Sequence, residues 1–268
     1  MTAYKIEAGT AQHIGHQAQQ NDRVALLSGA RAPGYLLAVL AGGVLGGTSA
    51  PEQVLHTAKH LFDTFKPGEH PHVERLSALL RDIVHETDLV IKLNGMATQS
   101  EAQCTFAALL ISPDGQAVWA HVGDARLYRF EQAECRMRTS DAGYIEHLMM
   151  DDKLALDAAR RHRQSPLLVN VLGNRRKTPF VTTGSHAGLG AGDAFLLCSD
   201  GLWHYFTDAE LAAALNRNTP RQASERLINK ALERAQGKGG NCSMAIVKLV
   251  KPPVEVPDYS VKRVGRAV

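Results

Sequence analysis

The chain has 268 residues, a formal net charge of +3, and 44% hydrophobic against 21% charged residues, an ordinary balance for a globular protein long enough to bury a substantial core. Aromatic residues make up only 6% and do not alternate with the short basic clusters, which speaks against a stacking platform for nucleic acid. No apolar stretch approaches the roughly 20 residues that a bilayer crossing needs, and Met1-Thr-Ala-Tyr-Lys-Ile-Glu7 lacks the basic and apolar regions of a signal peptide.

In chain order, residues 5–30 alternate weakly and predict a strand pair. Tyr35-Leu-Leu-Ala-Val-Leu-Ala41 is a continuous apolar run suited to a buried strand, and Gly42-Gly-Val-Leu-Gly-Gly47 predicts a tight turn. Ala50-Pro-Glu-Gln opens a helix to about Phe65, with Pro51 in the first turn. A second helix runs from about His72 to Leu93, with Leu76, Leu79, Leu80, Ile83, Val84 and Val90 on one face. Cys104–Ile111 and Gln116–Val122, joined by Ser112-Pro-Asp-Gly115, predict a hairpin. Arg126 to Arg129 is a further strand.

Residues 141–163 read as polar and helical. Val169–Gly173 and Phe180–Thr183 are short extended pieces. A strand runs to Asp200, helices follow at about 207–216 and 220–236, and Met244–Val250 closes as a strand. Residues 1–250 thus form one α/β domain, and 251–268, with three prolines, a C-terminal tail.

Cys104, Cys135, Cys198 and Cys242 form no CxxC pair, and Cys104 and Cys198 lie inside apolar runs. They predict reduced core thiols and a cytoplasmic location. The clusters Arg160–Arg163, Arg175–Lys177 and Lys262–Arg266 read as solvated faces, or as a surface that attracts a phosphoprotein. His56 and His60 stand four apart on a helix without a third ligand and read as surface histidines. Gly42–Gly47 lacks the Lys-Ser/Thr of a phosphate-binding loop.

Phe195-Leu-Leu-Cys-Ser-Asp-Gly-Leu-Trp203 is the most informative segment. An apolar strand ends in Ser-Asp-Gly, so Asp200 stands at the edge of the core. Two readings are open: a carboxylate aimed outward to hold a divalent metal, or a turn in which Asp200 hydrogen-bonds its own backbone. His121-Val-Gly-Asp-Ala-Arg126 supplies a second acidic strand end at Asp124.

In order, the motifs resemble those of the bacterial PPM (PP2C-type) metal-dependent serine/threonine phosphatases over nearly all of residues 10–250. Val122-Gly-Asp-Ala-Arg-Leu-Tyr128 is similar to the family's Val-Gly-Asp-Ser-Arg-x-Tyr. Gly192 to Leu202 matches Gly-Asp-x-x-Leu-Leu-x-Ser-Asp-Gly-Leu almost residue for residue. Partial matches are His16-Gln-Ala-Gln-Gln-Asn-Asp22, Val39-Leu-Ala-Gly-Gly-Val-Leu-Gly46 with Glu52 beyond, Val171-Leu-Gly173, and Gly239-Gly-Asn-Cys-Ser243. Asp141 and Tyr144 stand at the family's Asp-His-Ser step.

The resemblance implies an α-β-β-α sandwich, two central mostly antiparallel sheets flanked by helices. It also implies hydrolysis of phosphoserine or phosphothreonine in proteins by a water activated on two Mn²⁺ or Mg²⁺ ions, with a cognate kinase as a possible partner and no nucleic acid or membrane; the monomer is the expected state. Asp22 and Asp200 take the catalytic, metal-linked positions, Gly43 the carbonyl ligand, and Asp124 with Asp200 a third, weaker ion. The bridging aspartate position holds Gly42 and the last aspartate position Gly240. Gln17 stands at the phosphate-binding arginine. Glycine offers no side-chain oxygen, so two dications lose two carboxylates that would offset their repulsion. The implied outcomes are a strongly impaired phosphatase with reduced metal occupancy, or a pseudophosphatase that binds a phosphoprotein.

Overall fold

The computed structural model describes residues 4–68, 72–140 and 170–252. The strands are β1 (Lys5–His13), β2 (Arg23–Gly29), β3 (Ala32–Ala41), β4 (Gly43–Leu45), β5 (Gln103–Cys104), β6 (Phe106–Ile111), β7 (Gln116–Val122), β8 (Arg126–Glu131), β9 (Glu134–Arg138), β10 (Thr182–Ala187), β11 (Asp193–Cys198) and β12 (Cys242–Val250). Helices α1 (Ser49–Thr64) and α2 (Val73–Thr98) follow β4, and α3 (Asp200–Trp203), α4 (Asp208–Arg217) and α5 (Pro220–Ala235) lie between β11 and β12.

Two antiparallel five-stranded sheets result, in the orders β1-β12-β11-β8-β9 and β10-β7-β6-β3-β2, with a small β4-β5 pair beside them. Alternation along each central strand sorts its side chains into two cores. From β3, Ala38 and Leu40 point between the sheets, where they join Leu109, Phe195, Leu197 and Val247. Leu37 and Val39 point the other way, onto Val54, Phe62, Leu80 and Ile83 of α1 and α2. On the far side, Tyr128, Leu196 and Ile246 pack under Leu211, Leu215 and Leu227 of α4 and α5. The four layers are helices, sheet, sheet, helices, the sandwich that the motif order implied.

The helices on the second face start where capping chemistry dictates. Thr207 and Glu210 form a capping box at α4, Thr219 and Gln222 another at α5, and Pro220 occupies the first turn, each satisfying amides that a helix start leaves bare.

Several expectations need correction. The weakly alternating strands of residues 5–30 are not a pair: β1 joins β12 in one sheet and β2 joins β3 in the other. Alternation marks a half-exposed strand and says nothing about its partner. The glycine turn at 42–47 includes the short strand β4, which pairs with β5. Helix α2 runs on to Thr98, ended by Gln99 at φ 54°. Strand β11 stops at Cys198, and Asp200 begins α3 instead of ending the strand. Of the piece expected at Val169–Gly173, Val169 lies outside the described residues, and among the rest only Leu172 forms a bridge, with Cys104; the piece expected at 180–183 is β10, at Thr182–Ala187. The helix expected at 141–163, with Asp141, Tyr144 and Arg160–Arg163, and residues 253–268 of the tail, lie outside the described residues.

Antiparallel pairing delivers the C-terminal ends of β1, β3, β7 and β11 and the N-terminal ends of β2, β6, β8 and β12 to one pole. The inter-sheet core keeps these ends in register. Phe195→Ala, which empties a fully buried place between the sheets, is expected to cost about 3–5 kcal/mol. Leu89→Ala on the 57% exposed face of α2 should stay within about 0.5 kcal/mol. Urea unfolding of the two variants checks both.

Candidate active site

The loop from Ile14 to Asp22 carries the chain from one sheet to the other and closes the pole. Its fold is written in small polar residues. Gly15 takes φ +66°, and a Cβ there would strike the backbone of Gly239 and Gly240, so only glycine allows the loop this close. His16 exchanges two bonds with Gly239, donating its N–H to the carbonyl at 3.0 Å and accepting on Nδ1 at 3.2 Å. Asn241 reaches back with its whole amide. Oδ1 accepts from Asn21 N–H at 2.7 Å, and Nδ2 donates to the carbonyls of Ile14 and Gln19, both at 2.9 Å.

That lacing sets Asp22, 4% exposed, against the end of β3. Its Oδ1 accepts the Gly43 N–H at 3.3 Å, while its Oδ2 is buried without a hydrogen-bond partner. The hydroxyls of Ser199 and Ser243 lie beside the carboxylate, but Ser199 Oγ donates to Asn241 O at 3.1 Å. Burial pushes the Asp22 pKa up to about 6, with the Asp200 charge adding to the rise and the serines and Gly43 opposing it. The nearby cation, Arg23, is turned away: it pairs with Glu52 at 2.8 Å and donates to the carbonyls of Gln20 and Asp22.

The two acidic strand ends meet through one side chain. Trp203, on the same single turn of helix as Asp200, donates its Nε1–H to the carbonyl of Asp124 at 2.9 Å. Arg126 stacks on the Trp203 ring, its guanidinium carbon 3.3 Å from the centroid, a cation–π contact. Asp200 is exposed and accepts the Gly201 N–H on Oδ1 at 2.8 Å, so the local turn bond expected of a Ser-Asp-Gly step is present.

Gly42 and Gly240 differ in kind. A Cβ on Gly42 would meet Thr105 Oγ1 at 2.7 Å and Asp22 Oδ1 at 3.6 Å. Thr105 is 3% exposed, and its Oγ1 accepts the Gly42 N–H at 3.2 Å. A threonine hydroxyl therefore stands where a side chain at 42 would leave the backbone. At Gly240 an added Cβ meets nothing within 4 Å. Gln17 is exposed on a turn closed by its own N–H to Ile14 O at 3.3 Å, and no hydrogen bond links its side chain to Asp22, Asp124 or Asp200.

The structure thus brings Asp22, Gly42 and Gly43 together, sets Asp200 near enough to raise the Asp22 pKa, and ties Asp124 to the helix that carries Asp200. It leaves Gln17 aside. Among the described residues, no three His, Cys, Asp or Glu side chains converge to hold a metal ion. The buried, unpartnered Oδ2 of Asp22 could accept a cation, but Gly42 and Gly240, which the family resemblance sets at two further carboxylate positions, offer no side-chain oxygen, so the residues present do not fit a two-ion centre. Thr105, Trp203 and Asn241 are the residues that sequence reasoning missed as parts of the site. Trp203 and Asn241 lay inside motifs already singled out for their chemistry, Phe195–Trp203 and Gly239–Ser243; Thr105 did not.

Two predictions follow from this geometry. The folded pKa of Asp22 lies above its ordinary 3.8, so its contribution to stability is present below about pH 4 and lost as pH rises through 6. Buried His121 has the opposite sign: burial lowers its pKa from 6.5 to about 4, and its contribution is lost as pH falls through that range. Asp22→Asn without added metal should leave stability at pH 4 unchanged and raise it at pH 7 by up to about 3 kcal/mol. The difference between the two unfolding curves cancels His121; a difference independent of pH contradicts this account of Asp22. For the glycines, Gly240→Asp should be neutral within about 0.5 kcal/mol. Gly42→Asp should cost about 1–3 kcal/mol by overpacking, part of it regained with Thr105→Ala, as thermal unfolding will show.

No protein-family model matches the sequence. The serine/threonine protein phosphatase PstP of Mycobacterium tuberculosis is 28% identical over 195 residues, 71% of this chain and 36% of that protein. The serine/threonine phosphatase stp of Listeria innocua is 28% identical over 159 residues, 56% of this chain and 57% of that one. The matched part of the chain therefore spans 36% and 57% of these relatives, less than two thirds of either. Among solved structures, the M. tuberculosis phosphatase PstP/Ppp superposes with a TM-score of 0.70 at 26% identity, covering 91% of this chain and 99% of that one. The S. agalactiae serine/threonine phosphatase, at 22% identity, shares the fold with a TM-score of 0.75, covering 92% of this chain and 100% of that one. The PstP catalytic domain is also known in complex with two manganese ions, at 24% identity and a TM-score of 0.66, over 92% of this chain and 99% of that one. By sequence and by fold, this chain is a homologue of the bacterial PPM (PP2C-type) serine/threonine phosphatases.

Proposed function

We propose that this chain is a PP2C-type protein phosphatase by descent whose metal-dependent hydrolysis of phosphoserine and phosphothreonine is strongly reduced. The observation that carries this reading is the carboxylate count at the pole. Asp22, Asp124 and Asp200 remain, while Gly42 and Gly240 stand where the family resemblance puts the bridging and the last terminal aspartate. Two divalent ions a few ångströms apart repel strongly, and bridging and terminal carboxylates offset that repulsion. With two of them gone, metal occupancy at the pole falls, and with it the supply of activated water.

A second reading, a pseudophosphatase that binds a phosphoprotein, is favoured by one observation. Thr105 Oγ1 would stand 2.7 Å from a Cβ at 42 and accepts the Gly42 N–H, so a side chain at 42 returns only if Thr105 shifts. In either reading the partner is a phosphoserine or phosphothreonine protein, and a cognate kinase supplies it. The four free cysteines, three of them buried, support a reducing, cytoplasmic setting. Among the described residues no helix is long and apolar enough to cross a membrane, and the protein acts as a monomer.

Turnover of p-nitrophenyl phosphate and of a phosphothreonine peptide in Mn²⁺, measured beside the M. tuberculosis PstP catalytic domain, tests the first reading. The expected kcat/KM is at least ~100-fold lower, since loss of mere outer-shell partners already costs 10–100-fold in metal affinity or activity; comparable turnover overturns it. Calorimetric titration with Mn²⁺ should show at least tenfold tighter binding in Gly42→Asp/Thr105→Ala/Gly240→Asp than in the parent chain.

A further inference from the structure

Among the described residues six large apolar side chains are exposed, and three of them stand on the two segments that hold Asp22. Ile14 opens the crossing loop, and Val44 and Leu45, the last two residues of β4, are 39% and 47% exposed. Apolar residues exposed singly call for no explanation, but neighbours grouped beside a site mark a contact surface.

Strand β4 starts at the pole. Its first residue, Gly43, donates its N–H to Asp22 Oδ1, and Leu45, two residues on, lies within about 7 Å of Gly43. The strand is fastened on either side of the apolar pair. A Cβ on Gly43 would meet Asn21 O at 2.8 Å, and one on Gly46 would meet Glu101 O at 2.5 Å, so backbone packs closely against backbone at both places. Along β4, Gly43 faces Cys104 and Leu45 faces Gln103, which leaves Val44 as an extra residue bulged out of the ladder. Bulges recur next to active sites, where they re-aim a side chain. Gly46 and Gly47, at φ +75° and +68°, then turn the chain away. Two apolar side chains are thus held in place at the water's edge, on the strand that contacts Asp22.

We propose that Val44 and Leu45 form an apolar shelf that takes an apolar side chain of the partner phosphoprotein, close in sequence to the phosphorylated serine or threonine. The proposal rests on the phosphoprotein reading above and adds a sequence preference to it. An extended segment advances about 3.3 Å per residue, so the step from Gly43 to Leu45 matches about two residues of a peptide whose phosphoryl group lies at the pole. Covering the pair removes apolar area from water, a gain that a polar flanking residue does not give. Because the shelf is held before the partner arrives, little ordering cost is set against that gain.

Fluorescence polarisation of labelled phosphothreonine peptides in Mn²⁺ tests the proposal, with leucine or serine two residues before and after the phosphothreonine. The leucine peptide should bind with a Kd below about 1 mM and at least ~5-fold more tightly than the serine peptide. In Val44→Ser/Leu45→Ser that ratio should fall below ~2, and in Leu45→Lys a glutamate peptide should overtake the leucine one. Leu93→Ser, on the 54% exposed face of α2, should keep the ~5-fold ratio. Thermal unfolding confirms that each variant is folded. Equal binding of the leucine and serine phosphopeptides, or a ratio retained in Val44→Ser/Leu45→Ser, overturns the shelf and leaves the phosphoprotein reading standing. Equal binding of phosphorylated and unphosphorylated leucine peptides overturns the phosphoprotein reading itself, and no binding of any peptide at about 1 mM overturns both.

Discussion

Burial of both faces of the central strands governs where everything else in this protein can sit. Strands β3, β6, β7, β11 and β12 each send one set of side chains between the sheets and the other under helices. No face of the sandwich is left for chemistry, so polar groups that do anything beyond packing must stand where strands end. Ends are also where the backbone runs out of ladder partners and side chains must complete the hydrogen bonding. Asn241 shows the consequence: its single amide satisfies Asn21 N–H and two carbonyls of the loop that crosses between the sheets. The inter-sheet core fixes the distance that this loop has to span, and Asn241 with Gly15 fixes how closely it does so.

The same constraint explains why the two glycines at the aspartate pole are unequal. Gly42 follows the last residue of β3 and lies against β5 and β6, in packed surroundings where any free volume is claimed by a neighbour. Thr105 claims it, and gains the Gly42 N–H as a donor. Gly240 lies in the loop before β12, with its backbone close to Gly15 but open space where a side chain would project. A change of composition at a packed strand end is coupled to its neighbours and is undone only together with them. A change in an open loop stands alone. Reversal at the two positions therefore draws on different physics, steric at 42 and electrostatic at 240.

Strand content was legible in the sequence wherever burial was two-sided. Tyr35–Ala41, Phe106–Ile111 and Phe195–Cys198 are unbroken apolar runs because both faces are covered. Strand β9, Glu134–Arg138, was not legible: it is an edge strand with alternating exposure and three charged residues in five. Partnership of β1 and β2 was not legible either, since a strand's own pattern carries no record of what lies beside it. At the pole, Asp124 and Asp200 could be read because acidic residues at strand ends break an apolar pattern visibly. Thr105 could not. Its role depends on where Gly42 lies, 63 residues away in sequence, and an isolated threonine between two strands is unremarkable. Trp203 is an intermediate case, close in sequence to Asp200 but joined to Asp124 only through the fold.

The charge state of Asp22 links the missing carboxylates to what the pole can do. In a centre with two dications, a buried carboxylate is stabilised by the ions, and its pKa falls. Here the same carboxyl is buried with Arg23 turned toward Glu52, Asp200 nearby and one oxygen unpartnered, and its pKa rises to about 6. Isolated burial of a charge is costly unless a proton, a cation or hydrogen bonds offset it. Near neutral pH the proton is mostly gone, and the serines that might donate are partly engaged elsewhere. The burden of neutralising Asp22 therefore falls on whatever occupies the pole. A pole with one carboxylate more than the fold alone can satisfy is suited to a cation or to a ligand that brings its own hydrogen-bond donor.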